Sequence, residues 1–515
     1  MQHDPAPDTV GIAPEPLTRQ QLVAIARGRA QVALTDAAER GIAEARRQVD
    51  ALAAQDRPVY GVSTGFGALA VRHIPAERRR ALQQSFVRSH AAGTGAVVEP
   101  EVVRALMALR LRTVATGRTG LRPSTAHALA ALLNSGFVPV VHEFGSLGCS
   151  GDLAPLAAVA LALTGEGEVL DAAGQRHPAA EALAEAGIEP VVLAEKEGLA
   201  LTNGTDGMLG MLVLALDDLG ELLDVADVTA AMSLEAQLGT DRVLDPELQA
   251  LRPHPGQRRS AARMAALLAG SPIVASHRGP DCHRVQDAYS LRCAPQVHGA
   301  ARDALAHAEA VAERELAAAI DNPVVLDGRV ESNGNFHGAP LGHALDFLAI
   351  PVADVASMAE RRTDRMLDVA RSHGLPAFLA DDPGVDSGCM IAHYTQAGLV
   401  SECKRLAAPA SVDSVPTSAM QEDHVSMGWS AARKLRRAAD ALRSVLAIEL
   451  LTAARALDLR APLQPAAATG AVRDLLRTRV PGPGPDRHVA PEIAAAEQLV
   501  ASGEVQRATG NIDPE

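Results

Sequence analysis

The stretch Gly145-Ser146-Leu147-Gly148-Cys149-Ser150-Gly151-Asp152-Leu153-Ala154-Pro155-Leu156 concentrates residues that can do chemistry. Residue types alone leave three readings of it open. In the plainest, a glycine-rich turn leads into a helix that Ser150 or Asp152 caps. In the second, Cys149 is a thiolate nucleophile whose pKa is lowered by a helix N-terminus. In the third, the backbone itself reacts. Where Xaa-Ser-Gly is held in a tight bend, the glycine nitrogen can attack the carbonyl carbon of the residue before the serine. Glycine suits this step because it lacks a Cβ and tolerates the dihedrals required. Loss of water from the ring and from the serine side chain leaves an exocyclic methylidene, an electrophile that no common side chain supplies. Such a group points to an electron-rich substrate.

Tyrosines are scarce, three in 515 residues, so their surroundings are informative. Tyr60 opens Tyr60-Gly61-Val62-Ser63-Thr64-Gly65-Phe66-Gly67, and Tyr289 sits in Gln286-Asp287-Ala288-Tyr289-Ser290-Leu291-Arg292. Tyr394 lies in a plain helical stretch. Taken alone, the first two also read as a turn anchored by an aromatic ring and a helix with a buried hydroxyl. Residues 61–65 fit G-x-S-x-G, the nucleophile elbow, which needs a buried strand before it and a helix directly after. Arg57-Pro58 precedes the stretch and Phe66-Gly67 follows it, and the chain lacks alternating strand and helix patterns. The elbow reading is rejected.

The elements that must position these residues are helical. A helix is expected after Glu99-Pro100, with Val103, Leu106, Leu109 and Leu111 towards one side. Another follows the cap candidate Ser124 and stops at Asn134-Ser135-Gly136. Beyond Asn203 come long Ala/Leu-rich periodic segments: Met208 to Leu238, Gly299 to Ile320, Pro340 to Met366, Ile391 to Ala407 and Met427 to Leu457. Pro351 is expected to kink the third. The pattern predicts a mainly α protein in which long antiparallel helices form a bundle. The expected organisation is a disordered tail over 1–16, an N-terminal helical, loop-rich lobe over 17–205, a central long-helix bundle over 206–460 and a C-terminal helical cap over 461–515. The turn-rich Pro481-Gly482-Pro483-Gly484-Pro485 stands before a last short helix.

Composition narrows the function. With one Trp, three Tyr and seven Phe, the interior must be filled by Ala, Leu and Val, which favours close-packed helices. A net charge of −14 without a basic stripe argues against a nucleic-acid partner. The five cysteines (Cys149, Cys282, Cys293, Cys389 and Cys403) form no C-x-x-C pair, so a reduced protein without disulfides or a zinc knuckle is expected. Met1 to Pro16 has neither a basic region nor an apolar run, so it does not read as a signal peptide. The stretch Leu153 to Leu163, taken as the longest strongly apolar one, is too short to span a bilayer. The expectation is a cytoplasmic protein with no membrane, no metal and no external cofactor.

Seven separated motifs carry a resemblance over nearly the whole chain. They are Tyr60 to Gly67, Ser89-His90-Ala91-Ala92-Gly93, the Ser150 loop and Glu197-Gly198-Leu199-Ala200-Leu201-Thr202-Asn203-Gly204-Thr205. Next come Gln286 to Arg292, Asn333-Gly334-Asn335-Phe336-His337 and Gln421-Glu422-Asp423-His424-Val425-Ser426-Met427. In this order they resemble the aromatic amino-acid ammonia-lyases and aminomutases that use a 4-methylidene-imidazol-5-one (MIO) group, their histidine-specific members in particular. The resemblance implies an aspartase/fumarase-like fold and an MIO group formed from Cys149, Ser150 and Gly151. The commoner triad there is Ala-Ser-Gly. Residue 149 contributes only its carbonyl carbon to the ring, so Cys149 permits closure, although its thiol is open to oxidation. Ala288 replaces a bulkier residue or Pro.

The same resemblance implies roles. The substrate amine adds to the carbon derived from Ser150 while a base, Tyr60 in the first place, removes a β-proton; Tyr289 lies near the prosthetic group. Arg292 pairs with the substrate carboxylate, Asn203 and Gln286 give polar contacts, and Phe336 forms a wall. The tyrosine and phenylalanine enzymes carry His-Leu or Phe-Leu in place of Ser89-His90, and Gln in place of Glu422. A carboxylate suits an imidazole and suits a phenyl ring poorly, so Glu422 and His90 imply L-histidine as substrate and trans-urocanate as product. A homotetramer with sites shared between subunits is implied as well. A tyrosine or phenylalanine lyase or aminomutase, and a catalytically silent helical scaffold, are the alternatives.

Overall fold

The computed structural model describes residues 8–55, 58–65, 67–69, 71–279, 285–510 and 512. Arg57, Phe66 and Cys282 lie outside them. The protein is mainly helical, and its strands are two to four residues long. It divides into two compact units, each built from separate stretches of chain. The first comprises Met1–Leu214, Glu309–Leu345 and Pro409–Arg433; the second comprises Ala215–Ala308, Asp346–Ala408 and Lys434–Glu515. The continuous lobes expected from the sequence are thus replaced by interleaved ones. The long helices explain this. Asp206–Ala236, Ala294–Ala317, Ala339–Leu367 and Gly428–Asp458 each contribute residues to both units.

The N-terminal segment differs from expectation. Thr9–Ile12 forms a strand paired in parallel with Gln31–Leu34, because alternating Val10 and Ile12 bury completely while their neighbours stay exposed. Pro100–Ala115 starts where predicted, with Pro100 in its first turn. It is buried almost all round rather than on one side, since Leu106, Met107 and Leu111 are all fully enclosed. Pro123–Ser135 starts before Ser124, which lies inside the helix and caps nothing; Pro123 takes the first-turn position instead. Gly136, at φ +86°, ends it in the left-handed conformation that glycine supplies. Ala339–Leu367 runs through Pro351 as one helix. It is long and apolar enough to cross a membrane by length and composition, unlike Leu153–Leu163, and 61% of its most apolar window is buried inside the protein. After the Pro/Gly run come two helices, Ala490–Ala501 and Glu504–Ala508.

Contacts inside the second unit fix helix directions. Asp227 meets His298, and Asp224 meets Arg302, so Ala294–Ala317 runs opposite to Asp206–Ala236. Val445 meets Gln396, and Ala438 meets Cys403, so Met390–Leu406 runs opposite to Gly428–Asp458. These pairs are antiparallel as expected. Gly428–Asp458, however, runs the same way as Asp206–Ala236, through Asp218–Arg436 and Ser233–Glu449. It also runs the same way as Ala339–Leu367, through Asp346–Lys434 and Arg362–Glu449. Parallel neighbours need long returning connections, which the intervening chain provides.

Glu449 pins three of these helices together. Its fully buried carboxylate accepts Thr229 Oγ1 at 2.8 Å, Ser233 Oγ at 2.7 Å and Arg362 Nε and Nη2 at 2.5 and 2.9 Å. Removing one partner of such a pair strands the other charge in a dry interior. Arg362→Met is expected to destabilise the protein by about 3 kcal/mol or more, read as a fall of several degrees in thermal-unfolding temperature. An unchanged transition would contradict this role.

Candidate active site

The Ser150 loop is held from three sides. Ser146 Oγ donates to Asp152 Oδ1 at 2.8 Å and accepts the Gly148 N–H at 3.1 Å. The Gly148 carbonyl accepts Ser426 Oγ at 2.6 Å and the Gly338 N–H at 2.9 Å, and the Leu147 carbonyl accepts the Met427 N–H at 2.9 Å. Trp429, fully buried, donates its indole N–H to the Glu143 carbonyl at 2.7 Å. Gly151 sits at φ +83°, and a Cβ there would lie 2.2 Å from the Gly204 carbonyl oxygen, so only glycine fits. Asp152 donates its own N–H to that oxygen at 2.7 Å. Its carboxylate accepts the Gly207 and Met208 N–H groups at 2.9 and 3.0 Å, capping the helix Asp206–Ala236. Burial pushes Asp152 up to about 7 despite these donors.

Ser150, Tyr60, His90, Asn203 and Glu422 line one cavity of about 630 Å³ in the first unit, with Phe86, Leu153 and Leu199 as apolar walls. Five residues placed by five separate motifs therefore converge. Tyr60 Oη accepts the Gly67 N–H at 3.3 Å. Ser63 is buried, and its Oγ accepts the Val59 N–H at 2.9 Å, so it braces the turn and is no nucleophile. His90 ends the helix Arg79–His90, its ring 3.8 Å from that of Phe86. Its Nδ1 lies 2.9 Å from the Phe86 carbonyl, which can only accept, so a neutral His90 leaves Nε2 as a free acceptor. Burial holds its pKa below the ordinary value, partly offset by the Phe86 carbonyl and the Glu422 charge.

Asn203 Nδ2 donates to the Asn322 carbonyl at 2.8 Å, while its buried Oδ1 has no protein partner. The side chain thus offers an acceptor and its second amide hydrogen. Glu422 Oε1 accepts Ser150 Oγ at 3.1 Å, and Oε2 accepts Cys149 Sγ at 2.8 Å and Thr417 Oγ1 at 3.4 Å. It stands at the foot of a tight hairpin in which Thr417 and Glu422 exchange both backbone hydrogen bonds. The turn between them holds Ser418, Ala419 and Met420 at φ +53°, +52° and +69°, a left-handed run without glycine. Burial first, and then the hydrogen bond to Glu422 and its charge, push the Cys149 thiol up to about 12. The loop therefore does not favour the thiolate reading: although a helix N-terminus follows, the thiol is buried and donates to a carboxylate, and both oppose its ionisation.

A model of the aromatic amino acid lyase family matches residues 17–478. The chain belongs to that family. Among similar proteins, the histidine ammonia-lyase of Streptomyces coelicolor is 63% identical over 98% of this chain and 99% of its own length. Among solved structures, the tyrosine aminomutase of Streptomyces globisporus matches with a TM-score of 0.92 at 38% identity, covering 98% of this chain and 99% of that one. The histidine ammonia-lyase of Trypanosoma cruzi matches with a TM-score of 0.90 at 38% identity, covering 98% and 96%.

Not every predicted residue of this aromatic amino acid lyase lines the cavity. Gln286, Tyr289 and Arg292 belong to the second unit. There Gln286 and Arg292 line another cavity of about 370 Å³, and the Arg292 guanidinium lies 4.7 Å over the Tyr289 ring, which is 70% exposed. Phe336 is half-buried in the first unit and is not a lining residue. Residues missed in the sequence support Asn203 from behind. Arg110 Nη1 donates to the Asn203 carbonyl at 3.1 Å and its guanidinium pairs with Asp206 at 2.9 Å. Lys196, fully buried, pairs with Asp321 at 2.6 Å; Asp321 in turn accepts the Asn322 N–H at 2.8 Å. The available signal was charge in apolar surroundings: Arg110 between Leu109 and Leu111. At pH 7.5, alkylation of the folded enzyme is expected to leave Cys149 unmodified by peptide mass, because burial and the adjacent Glu422 carboxylate both oppose formation of the thiolate. Fast modification at that pH would refute the assignment.

Proposed function

We propose that the chain is a histidine ammonia-lyase, which eliminates ammonia from L-histidine without oxidation to give trans-urocanate. The observation that carries this reading is a carboxylate and a half-buried imidazole, Glu422 and His90, facing the same cavity as Ser150. The bend fits the prosthetic group of the family resemblance. Gly151 holds a left-handed φ against Gly204 with no space for a side chain, and Asn203 Oδ1 stands beside the loop unpartnered. Cys149, Ser150 and Gly151 would form the 4-methylidene-imidazol-5-one. When present, that group supplies an electrophilic carbon to the substrate amine, with no external cofactor.

The chain's own residues do the rest. Glu422 accepts the imidazole N–H of the substrate, and His90 Nε2 is a second acceptor nearby. Phe86, Leu153 and Leu199 keep water from the reacting centre. Tyr60 takes the β-proton, its hydroxyl being the phenol on the cavity wall. Asn203 offers its oxygen to a donor on the substrate. Arg292 holds the carboxylate with two parallel hydrogen bonds, assisted by Gln286, with Phe336 against the substrate.

We place Gln286, Tyr289 and Arg292 in the site of a neighbouring subunit of a homotetramer. Tyr289 is 70% exposed, and apolar side chains stand outward on two long helices: Phe347 and Ile350 at 62% and 52%, Ile391 and Tyr394 at 60% and 66%. The four described cysteines are unpaired thiols, which suits a reducing compartment and supports a cytoplasmic location. The tyrosine aminomutase likeness keeps an aryl amino acid as a second reading, against which a carboxylate beside a phenyl ring would be costly.

The purified protein is expected to convert L-histidine to a conjugated acid and to act far more slowly on L-tyrosine and L-phenylalanine. Preference for either of the latter would favour the second reading. Intact mass should fall short of the sequence mass by two waters, whereas Ser150→Ala retains both and loses activity. Glu422→Gln should lower kcat/KM for L-histidine by about 10- to 100-fold, the range of one hydrogen bond to a charged group.

A further inference from the structure

We infer that Cys149 is a positioning residue for Glu422, its thiol holding Oε2 so that Oε1 turns to the imidazole of the substrate. This rests on the function proposed above and adds a residue to it. Before ring closure both carboxylate oxygens are occupied: Oε1 by Ser150 Oγ at 3.1 Å, Oε2 by Cys149 Sγ at 2.8 Å, with Thr417 Oγ1 further away at 3.4 Å. Closure changes only one of them. The Gly151 nitrogen bonds to the Cys149 carbonyl carbon, whose oxygen leaves as water with the amide hydrogens of Ser150 and Gly151. Ser150 Oγ leaves as a second water with the Cα hydrogen and the hydroxyl hydrogen. Oε1 then loses the hydroxyl that occupied it, while Oε2 keeps its thiol.

The carboxylate needs such a hold. It is carried by a hairpin whose turn residues Ser418, Ala419 and Met420 all take left-handed backbone, a conformation that the surroundings must enforce. A thiol suits the task because burial keeps it protonated, so it meets the carboxylate as a donor and not as a second negative charge. The alanine more common at this position in the family resemblance could not donate. The residue that departs from the usual triad is therefore the one that touches the carboxylate expected to choose the substrate.

Three substitutions separate hydrogen bonding from packing: Cys149→Ala removes the donor, Cys149→Val restores bulk without a donor, and Cys149→Ser restores a donor. We expect the Ala and Val forms to raise KM for L-histidine about tenfold, equivalent to about 1.4 kcal/mol, with kcat lowered less than about threefold. The inhibition constant of imidazole, used as a competing ligand, should rise in parallel, and the Ser form should behave like the wild type. Each form should retain the two-water mass deficit. An unchanged KM in Cys149→Ala, rescue by Val but not by Ser, or loss of the mass deficit would each overturn the assignment. The wild type serves as the separate control. If it shows neither the deficit nor histidine turnover, the proposed function falls; if it shows both and the variants fail, the positioning role alone falls.

Discussion

Residue 151 has no room for a side chain, and the architecture of the site follows from that. The loop packs backbone to backbone on Gly204, whose carbonyl lies where a Cβ would go and accepts the N–H of Asp152. Asp152 then caps the helix that starts at Asp206. Loop and helix are in effect one piece, so Ser150 is carried by a rigid element rather than by a free loop. Such close approach restricts the backbone to a narrow range of dihedrals, and a bend that must bring a nitrogen onto a neighbouring carbonyl carbon needs that restriction.

Two physical strategies meet in the same cavity. Asn203 is held by buried charge. Arg110 grips its carbonyl, and Asp321, paired with Lys196, accepts the N–H of Asn322, the residue whose carbonyl receives its amide. Ion pairs so fully dehydrated add little net stability compared with apolar packing, but they hold geometry. Glu422 is held differently, on a strained turn with a side-chain donor at each oxygen. Neutral hydrogen-bonding groups hold the carboxylate that would read the substrate, while Arg110, Lys196 and Asp321 stand behind Asn203 and do not line the cavity.

Much of the site was legible in the sequence because its parts are local. Tyr60, His90, Ser150, Asn203 and Glu422 each sit in a short motif at a turn or helix end, where residue type and backbone are tightly coupled. The long helices were legible from their Ala/Leu periodicity, to within a few residues at most ends. Periodicity carries no direction, so it could not reveal that Gly428–Asp458 runs parallel to two of its neighbours. Nor could it foresee that four helices serve two units, or that Val10 and Ile12 find a strand partner some 20 residues away. Asn322 and Lys196 stayed hidden for a related reason: each matters through a contact over 100 residues away in sequence. Ser124 misled because a good capping residue stood one position after a proline that starts helices equally well.

The run Ser418, Ala419 and Met420 has an evolutionary consequence. Left-handed backbone costs an ordinary L-residue about 1–2 kcal/mol, so glycine or asparagine at any of the three would make a hardier protein. That relief would also slacken the arm that aims the carboxylate. A lineage selected for heat tolerance alone would be drawn towards such replacements, and one under pressure to discriminate between amino acids would resist them. The turn is thus a place where robustness and selectivity compete, and where a change of substrate could begin without disturbing the helices beneath.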